Sequence, residues 1–131
     1  MTTRTAIRGA IKQGIAGFFT GCFDYRAPQL LDEELPAACV YFEDGDTDQD
    51  FDETDLTVGR LVVEITARSN TNIDAALDTL GNQVHSTIKA DDTLGGIIEG
   101  MRRIGFLYDR DPESNLGGLI LIYQLHYFDE D

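Results

Sequence analysis

The chain has no tryptophan, two cysteines, two histidines, two methionines and three prolines in 131 residues. Cys22 and Cys39 are too few for a disulfide framework and lack the spacing of a metal site. They read as packed, reduced thiols in a cytosol. Two cysteines and two histidines also leave no convincing ligand set for a structural zinc centre. Positive charge is scarce: 10 Lys+Arg against 24 Asp+Glu give a formal charge of −14. Duplex DNA and anionic membranes are therefore poor partners for the surface at large. No apolar run approaches the ~20 residues of a membrane span. The N-terminus lacks the long apolar stretch of a signal peptide, so export is not expected.

What remains is ordinary globular material. Hydrophobic residues make up 42% and aromatics 9%, enough for one packed domain over residues 1–131 without disulfide or metal staples. No internal repeat is present.

Thr3 to Gly17 reads as an amphipathic helix, because Ile7, Ile11, Ile15 and Phe18 recur at helical spacing. Gly9, Gly14 and Gly17 each weaken it by up to ~1 kcal/mol relative to alanine, so packing must hold it. Arg4, Arg8 and Lys12 step by four residues and form a basic stripe beside the apolar one. They are either a solvated edge or a contact for acidic surface on another subunit. Phe19 to Arg26 reads as a short strand or extended arm. Pro28 and Pro36 interrupt regular structure. Ala37 to Phe42 reads as a strand with Val40 and Phe42 on one face and Cys39 and Tyr41 on the other.

Eight of the 13 residues from Glu43 to Asp55 are acidic and none is basic. Self-repulsion predicts a mobile acidic loop over residues 43–56. Leu61, Val63, Ile65 and Ala67 alternate with Val62, Glu64, Thr66 and Arg68, which predicts a strand. Ser69 to Asn72 supply capping residues for a second helix, on which Ile73, Ala76, Leu77, Leu80, Val84 and Ile88 share a face. Asp74 and Asp78 near its start and Lys89 at its end suit the helix dipole. Ile104, Phe106 and Tyr108 alternate within a further strand. A turn at Asp111 to Asn115 leads to a long closing strand, Leu119 to Phe128. The order helix, three strands, helix, two strands, with two hairpins, predicts an α+β fold. Its core is a single, largely antiparallel or mixed sheet of four to five strands with two helices packed on one face.

Constellations for chemistry are weak. Asp44, Asp46 and Asp48 fit the start of an EF-hand loop, but position six is Gln49 and position twelve Asp55, and strands rather than helices flank it. Weak divalent screening at Asp44, Asp46, Asp48 and Asp50 is the better expectation than a specific metal site. His85 and His126 lie on regular elements with no sequence link to either cysteine. No G-x-S-x-G or phosphate-binding glycine pattern occurs. A binding or assembly module is expected rather than an enzyme, with no catalytic residue and no cofactor. Arg102 and Arg103, the one basic doublet, pair either within the fold or with acidic surface on a neighbouring subunit.

Several local segments, taken in order, carry a likeness. They are Arg26-Ala27-Pro28, then Asp32-Glu33-Glu34-Leu35-Pro36-Ala37 leading into Val40-Tyr41, then the acidic stretch. Leu61-Val62-Val63-Glu64-Ile65 and Gly105-Phe106-Leu107-Tyr108-Asp109-Arg110 complete them. In this order the chain resembles the minor tail protein U family of lambdoid phages, the tail terminators, over nearly its whole length. The resemblance implies a six-membered ring that closes on the finished tail tube, stops tube polymerisation and presents the surface that joins the head connector. The implied partners are other copies of itself, the tail-tube protein and the connector protein. DNA would pass through the lumen without specific binding. The implied location is the virion tail, with assembly in the host cytoplasm. Other neck, tail-tube or head-completion proteins share size and composition, and a small acidic divalent-cation-binding protein is an alternative of a different class.

Read against a ring, the charge has consequences. Six copies at −14 each carry −84, and this self-repulsion is relieved by salt or divalent cations. Mg²⁺ is therefore expected to promote closure. Asp46, Asp48, Asp50 and Asp52 are expected at a subunit or tube interface or facing the lumen, and Arg4, Arg8, Lys12, Arg102 and Arg103 are further candidates for a subunit or tube interface.

Overall fold

A computed structural model describes residues 3–49, 55–111 and 114–129. Helix α1 (Thr3–Ile15) continues as a single 3-10 turn to Phe18. A short strand β1 (Gly21–Phe23) follows, and the residues between the prolines include a 3-10 turn, Asp32–Glu34. Strands β2 (Ala37–Gln49) and β3 (Asp55–Arg68) precede helix α2 (Ile73–Ala90). Strands β4 (Gly100–Arg110) and β5 (Leu116–Phe128) close the chain. The five strands form one mixed sheet in the order β1-β2-β3-β5-β4. Only the β1–β2 pairing is parallel; β2–β3, β3–β5 and β4–β5 are antiparallel. The α+β expectation holds.

Register explains where the core lies. Val40 faces Val63, Phe42 faces Leu61, and Leu61, Val63 and Ile65 face Tyr123, Leu121 and Leu119. Partners in register share a face of the pleat, so these residues line one side. Both helices cover that side. Ile7, Ile11 and Ile15 of α1 and Leu77, Val84 and Ile88 of α2 are buried in the same cluster. Burial of three isoleucines holds α1 in spite of Gly9 and Gly14. At about 25 cal/mol per Å² of apolar surface, each isoleucine contributes roughly 1.5–3 kcal/mol. Helix α2 starts on Asn72, whose side chain accepts the Ala75 N–H at 3.0 Å.

Two expectations are overturned. Residues 43–49 are not a mobile loop: β2 runs through them to Gln49, and β3 begins at Asp55. Asp44 pairs with Arg60, Asp46 with Val58 and Asp48 with Leu56. Pairing with β3 outweighs the repulsion because β3 itself is anchored on β5 along its whole length. Ladder hydrogen bonds fix the backbone, and exposed carboxylates about 6.6 Å apart on a strand repel only weakly in water. Asp50 and Asp52 lie outside the described residues. The second correction concerns β4. The register shifts between Arg103 and Gly105, so Ile104 is the extra residue of a bulge and falls out of line with Phe106 and Tyr108.

Candidate functional site

Each side chain singled out by the sequence has a defined setting. On α1, Arg4 lies 3.8 Å from Asp129. Arg8 donates to the Thr5 hydroxyl at 3.4 Å, and its Nε is buried without an acceptor. Lys12 is half-buried. On the β2–β3 ribbon, Arg60 lies 3.9 Å from Glu43 and 3.8 Å from Asp44. Glu43, Asp44 and Asp46 are exposed. Arg102 donates to the Gln124 side-chain oxygen at 3.2 Å, a neutral partner that leaves its charge uncompensated.

Arg103 meets residues that sequence reasoning did not connect with it. It lines a cleft of about 370 Å³ between α2 and β4 together with His85, Lys89, Asp92, Arg102 and Tyr123. Tyr123 is fully buried, and its hydroxyl lies 3.0 Å from His85 Nδ1. Burial, then the positive charges of Arg103 and Lys89, lower the His85 pKa below 6.5. The imidazole is thus held neutral near physiological pH, and its protonation adds no further cation there. Among the described residues, no carboxylate comes within ion-pair distance of Lys89, Arg102 or Arg103. Arg68 and Arg110 contrast with these. Arg68 pairs with Asp32 at 3.0 Å, and Arg110 Nη2 reaches Asp74 Oδ2 at 3.1 Å.

The Arg110–Asp74 pair belongs to a lock between α2 and β4, alongside the hydrogen bond that the Tyr108 hydroxyl donates to Asp78. Asp74 and Asp78 are four apart on a helix, a rise of about 6 Å; Tyr108 and Arg110 are two apart on a strand, about 6.6 Å. The matched spacing was a usable signal in the sequence.

Among the described residues, no helix covers the sheet face away from α1 and α2. Tyr41 donates to Glu64 at 3.0 Å there, and the Arg26 guanidinium sits 5.4 Å above the Tyr41 ring. Val62, Leu107, Ile120 and Ile122 share a shallow groove with them. Among the described residues no group of three or more His, Cys, Asp or Glu side chains converges to hold a metal. Cys22 and Cys39 are free thiols, each with its pKa raised by burial.

Burial pushes the pKa of Tyr123 up to about 12, and burial with the Glu64 hydrogen bond does the same for Tyr41. An unfolded tyrosine ionises near pH 10 whereas these two stay protonated. Their contribution is therefore complete below pH 10 and lost as pH rises from 10 toward 12. For buried Tyr123 the loss amounts to about 3 kcal/mol. Melting temperature should fall as pH rises through this range, and Tyr123→Phe should flatten part of the fall. An unchanged slope in that variant would refute the assignment to Tyr123.

The sequence profile of the phage minor tail protein U family matches residues 2–127. The chain belongs to the phage minor tail protein U family. No curated protein matches the sequence. A chain in the virion of a native gene transfer agent particle is similar in fold, with a TM-score of 0.52 and 10% identity over 95% of each chain. As a protein U family member the chain is a structural component of a phage tail, and the family is one of structural proteins. No described helix is long and apolar enough to cross a membrane.

Proposed function

We propose that this protein U family member is a tail terminator. Copies of the chain, six in number, close as a ring on the last ring of the tail tube, end tube polymerisation and present the surface that receives the head connector. DNA passes through the lumen without specific contacts.

The observation that carries this reading, beside family membership, is the unfinished sheet. One face is sealed by two helices, while on the other, among the described residues, no helix lies over exposed Leu107 and half-buried Ile120 and Ile122. Strand β4 is an 11-residue sheet edge with free backbone groups along one side. Ile104, Phe106 and Leu107 on it are 44%, 58% and 50% exposed. A long apolar edge strand is a liability in a monomer and an asset in an assembly.

The −14 charge opposes closure in dilute, low-salt solution. The tube end, or Mg²⁺, supplies the missing stabilisation. Light scattering after size exclusion tests this, in low salt and again with about 20 mM Mg²⁺, well beyond what weak screening needs. Growth from monomer to a closed oligomer of six is the expected result. Open tubes would instead mark a tube protein, and a monomer that neither closes with Mg²⁺ nor binds isolated tail tubes would overturn the proposal.

A further inference from the structure

Two unlike charge clusters lie on opposite edges of the same end of the sheet. Beyond its short pairing with β1, the outer side of β2 is an edge, and it carries Glu43, Asp44 and Asp46. Among the described residues the only ion-pair partner of these carboxylates is Arg60, at 3.8–3.9 Å from Glu43 and Asp44, and Asp46 has none. On the other edge, β4 and the end of α2 bring Lys89, Arg102 and Arg103 to one cleft; Asp92 also lines it, but among the described residues no carboxylate is within ion-pair distance of the three cations. Register ties the two clusters to one level: Asp44 pairs with Arg60, Arg60 with Gln124, and Gln124 with Arg102. Three strand spacings of about 4.8 Å put the edges about 14 Å apart. The clusters cannot meet within one molecule.

We propose that the Lys89, Arg102 and Arg103 mouth is a carboxylate-binding site whose occupant is the acidic β2 edge, Glu43 to Asp46, of a second copy of this chain. This deepens the ring reading and rests on it. A second copy is the fitting occupant for three reasons. In a chain with 24 acidic and 10 basic residues, three cations gather at one mouth whose single lining carboxylate, Asp92, is not within ion-pair distance of them, so the mouth is locally cationic on an acidic surface. The acidic edge presents those groups on a paired strand at the same sheet level. A contact between unlike patches on opposite edges is heterologous, the kind that generates rings when its rotation closes. Phe106 and Ile104, exposed just along β4, supply the apolar flank that a purely ionic contact would lack.

Charge-swap complementation tests the pairing. One variant carries Arg102→Glu and Arg103→Glu; the other carries Asp44→Lys and Asp46→Lys. All four positions are exposed, so each variant should keep the wild-type circular dichroism and melting temperature. Each is then sized alone and in equimolar mixture, across salt and Mg²⁺ conditions and with isolated tail tubes added, a set that includes the condition in which wild type assembles. Each variant alone should need about tenfold or more protein to assemble. The mixture should recover, because each acidic mouth then faces a basic edge and each basic mouth an acidic edge. Rings from both single variants at wild-type concentration would overturn the pairing and leave the ring reading intact. Folded variants that fail alone and also fail together would overturn the pairing as well. A mixture that associates while wild type stays monomeric in every condition would support the pairing and sink the ring. No association by any sample would overturn both.

Discussion

Replacing Leu77 by alanine is expected to destabilise the domain by about 3 kcal/mol and lower its melting temperature by about 10 °C. Leu77 is fully buried in the second turn of α2. Its Cδ1 lies where a side chain on Gly117 of β5 would begin, 3.3 Å from that ideal Cβ position. Removing the isopropyl group, Cγ with its two methyls, loses its transfer free energy. It also leaves a cavity that the surrounding backbone is poorly placed to fill, because α2 is tied to β4 through Asp74 and Asp78. The same helix carries His85 and Lys89, so loosening it should also blur the cationic mouth. Thermal melts of wild type and variant check the magnitude. A loss under about 1 kcal/mol would mean that α2 slides inward to close the gap, against the fixed seating inferred here.

Gly117→Val is expected to cost a further class of stability, about 2–3 kcal/mol, through overpacking. A Cβ at position 117 would sit 2.6 Å from Ile73 Cγ1, a contact too short to keep. Relief requires Ile73 to leave its rotamer or the start of α2 to lift from the sheet. Gly117 pairs with Ala67 on β3 and Arg110 on β4, so the strand cannot yield on either side. Urea denaturation should show a lower midpoint with an unchanged slope. Gly81 provides a contrast: a Cβ there would meet Leu119 Cδ2 at 2.7 Å. That atom is the far end of a flexible side chain, and alanine favours a helix by up to about 1 kcal/mol over glycine. The penalty at Gly81 should therefore be the smaller of the two.

Much of this architecture was legible because burial writes a period into the chain. The isoleucines of α1, the Leu77–Val84–Ile88 face of α2 and the alternation through β3 each gave the element they predict. Where charge replaced burial, the reading failed. Asp44, Asp46 and Asp48 alternate with Gly45, Thr47 and Gln49, a period of two as strict as that of β3. Composition was taken as decisive there, although the exposed edge of a sheet tolerates carboxylates on alternate positions. Ile104 was misplaced for another reason, since a bulge removes one residue from the alternation without marking the sequence. The parallel β1–β2 pairing depends on how the chain between the prolines returns, which local pattern does not record. Of the candidate site, the Arg102-Arg103 doublet was visible. Its neighbours Lys89 and His85 were not, because they approach from a helix about 15 residues upstream through packing alone. The roles of Arg4, Arg8 and Lys12 remain an assembly expectation, each now with a local setting on α1.

The extension of β2 through Glu43 to Gln49 changes what kind of object the acidic segment is. A tethered loop that docks must surrender about 1–2 kcal/mol of backbone freedom for every residue it orders. A strand already hydrogen-bonded to β3 has surrendered that freedom during folding, so a neighbour's cations meet a preorganised array. Alternate carboxylates on such a strand stand at a fixed pitch of about 6.6 Å. In the contact proposed above, the segment would act as a comb with set teeth, selecting cationic surfaces by spacing as well as by charge.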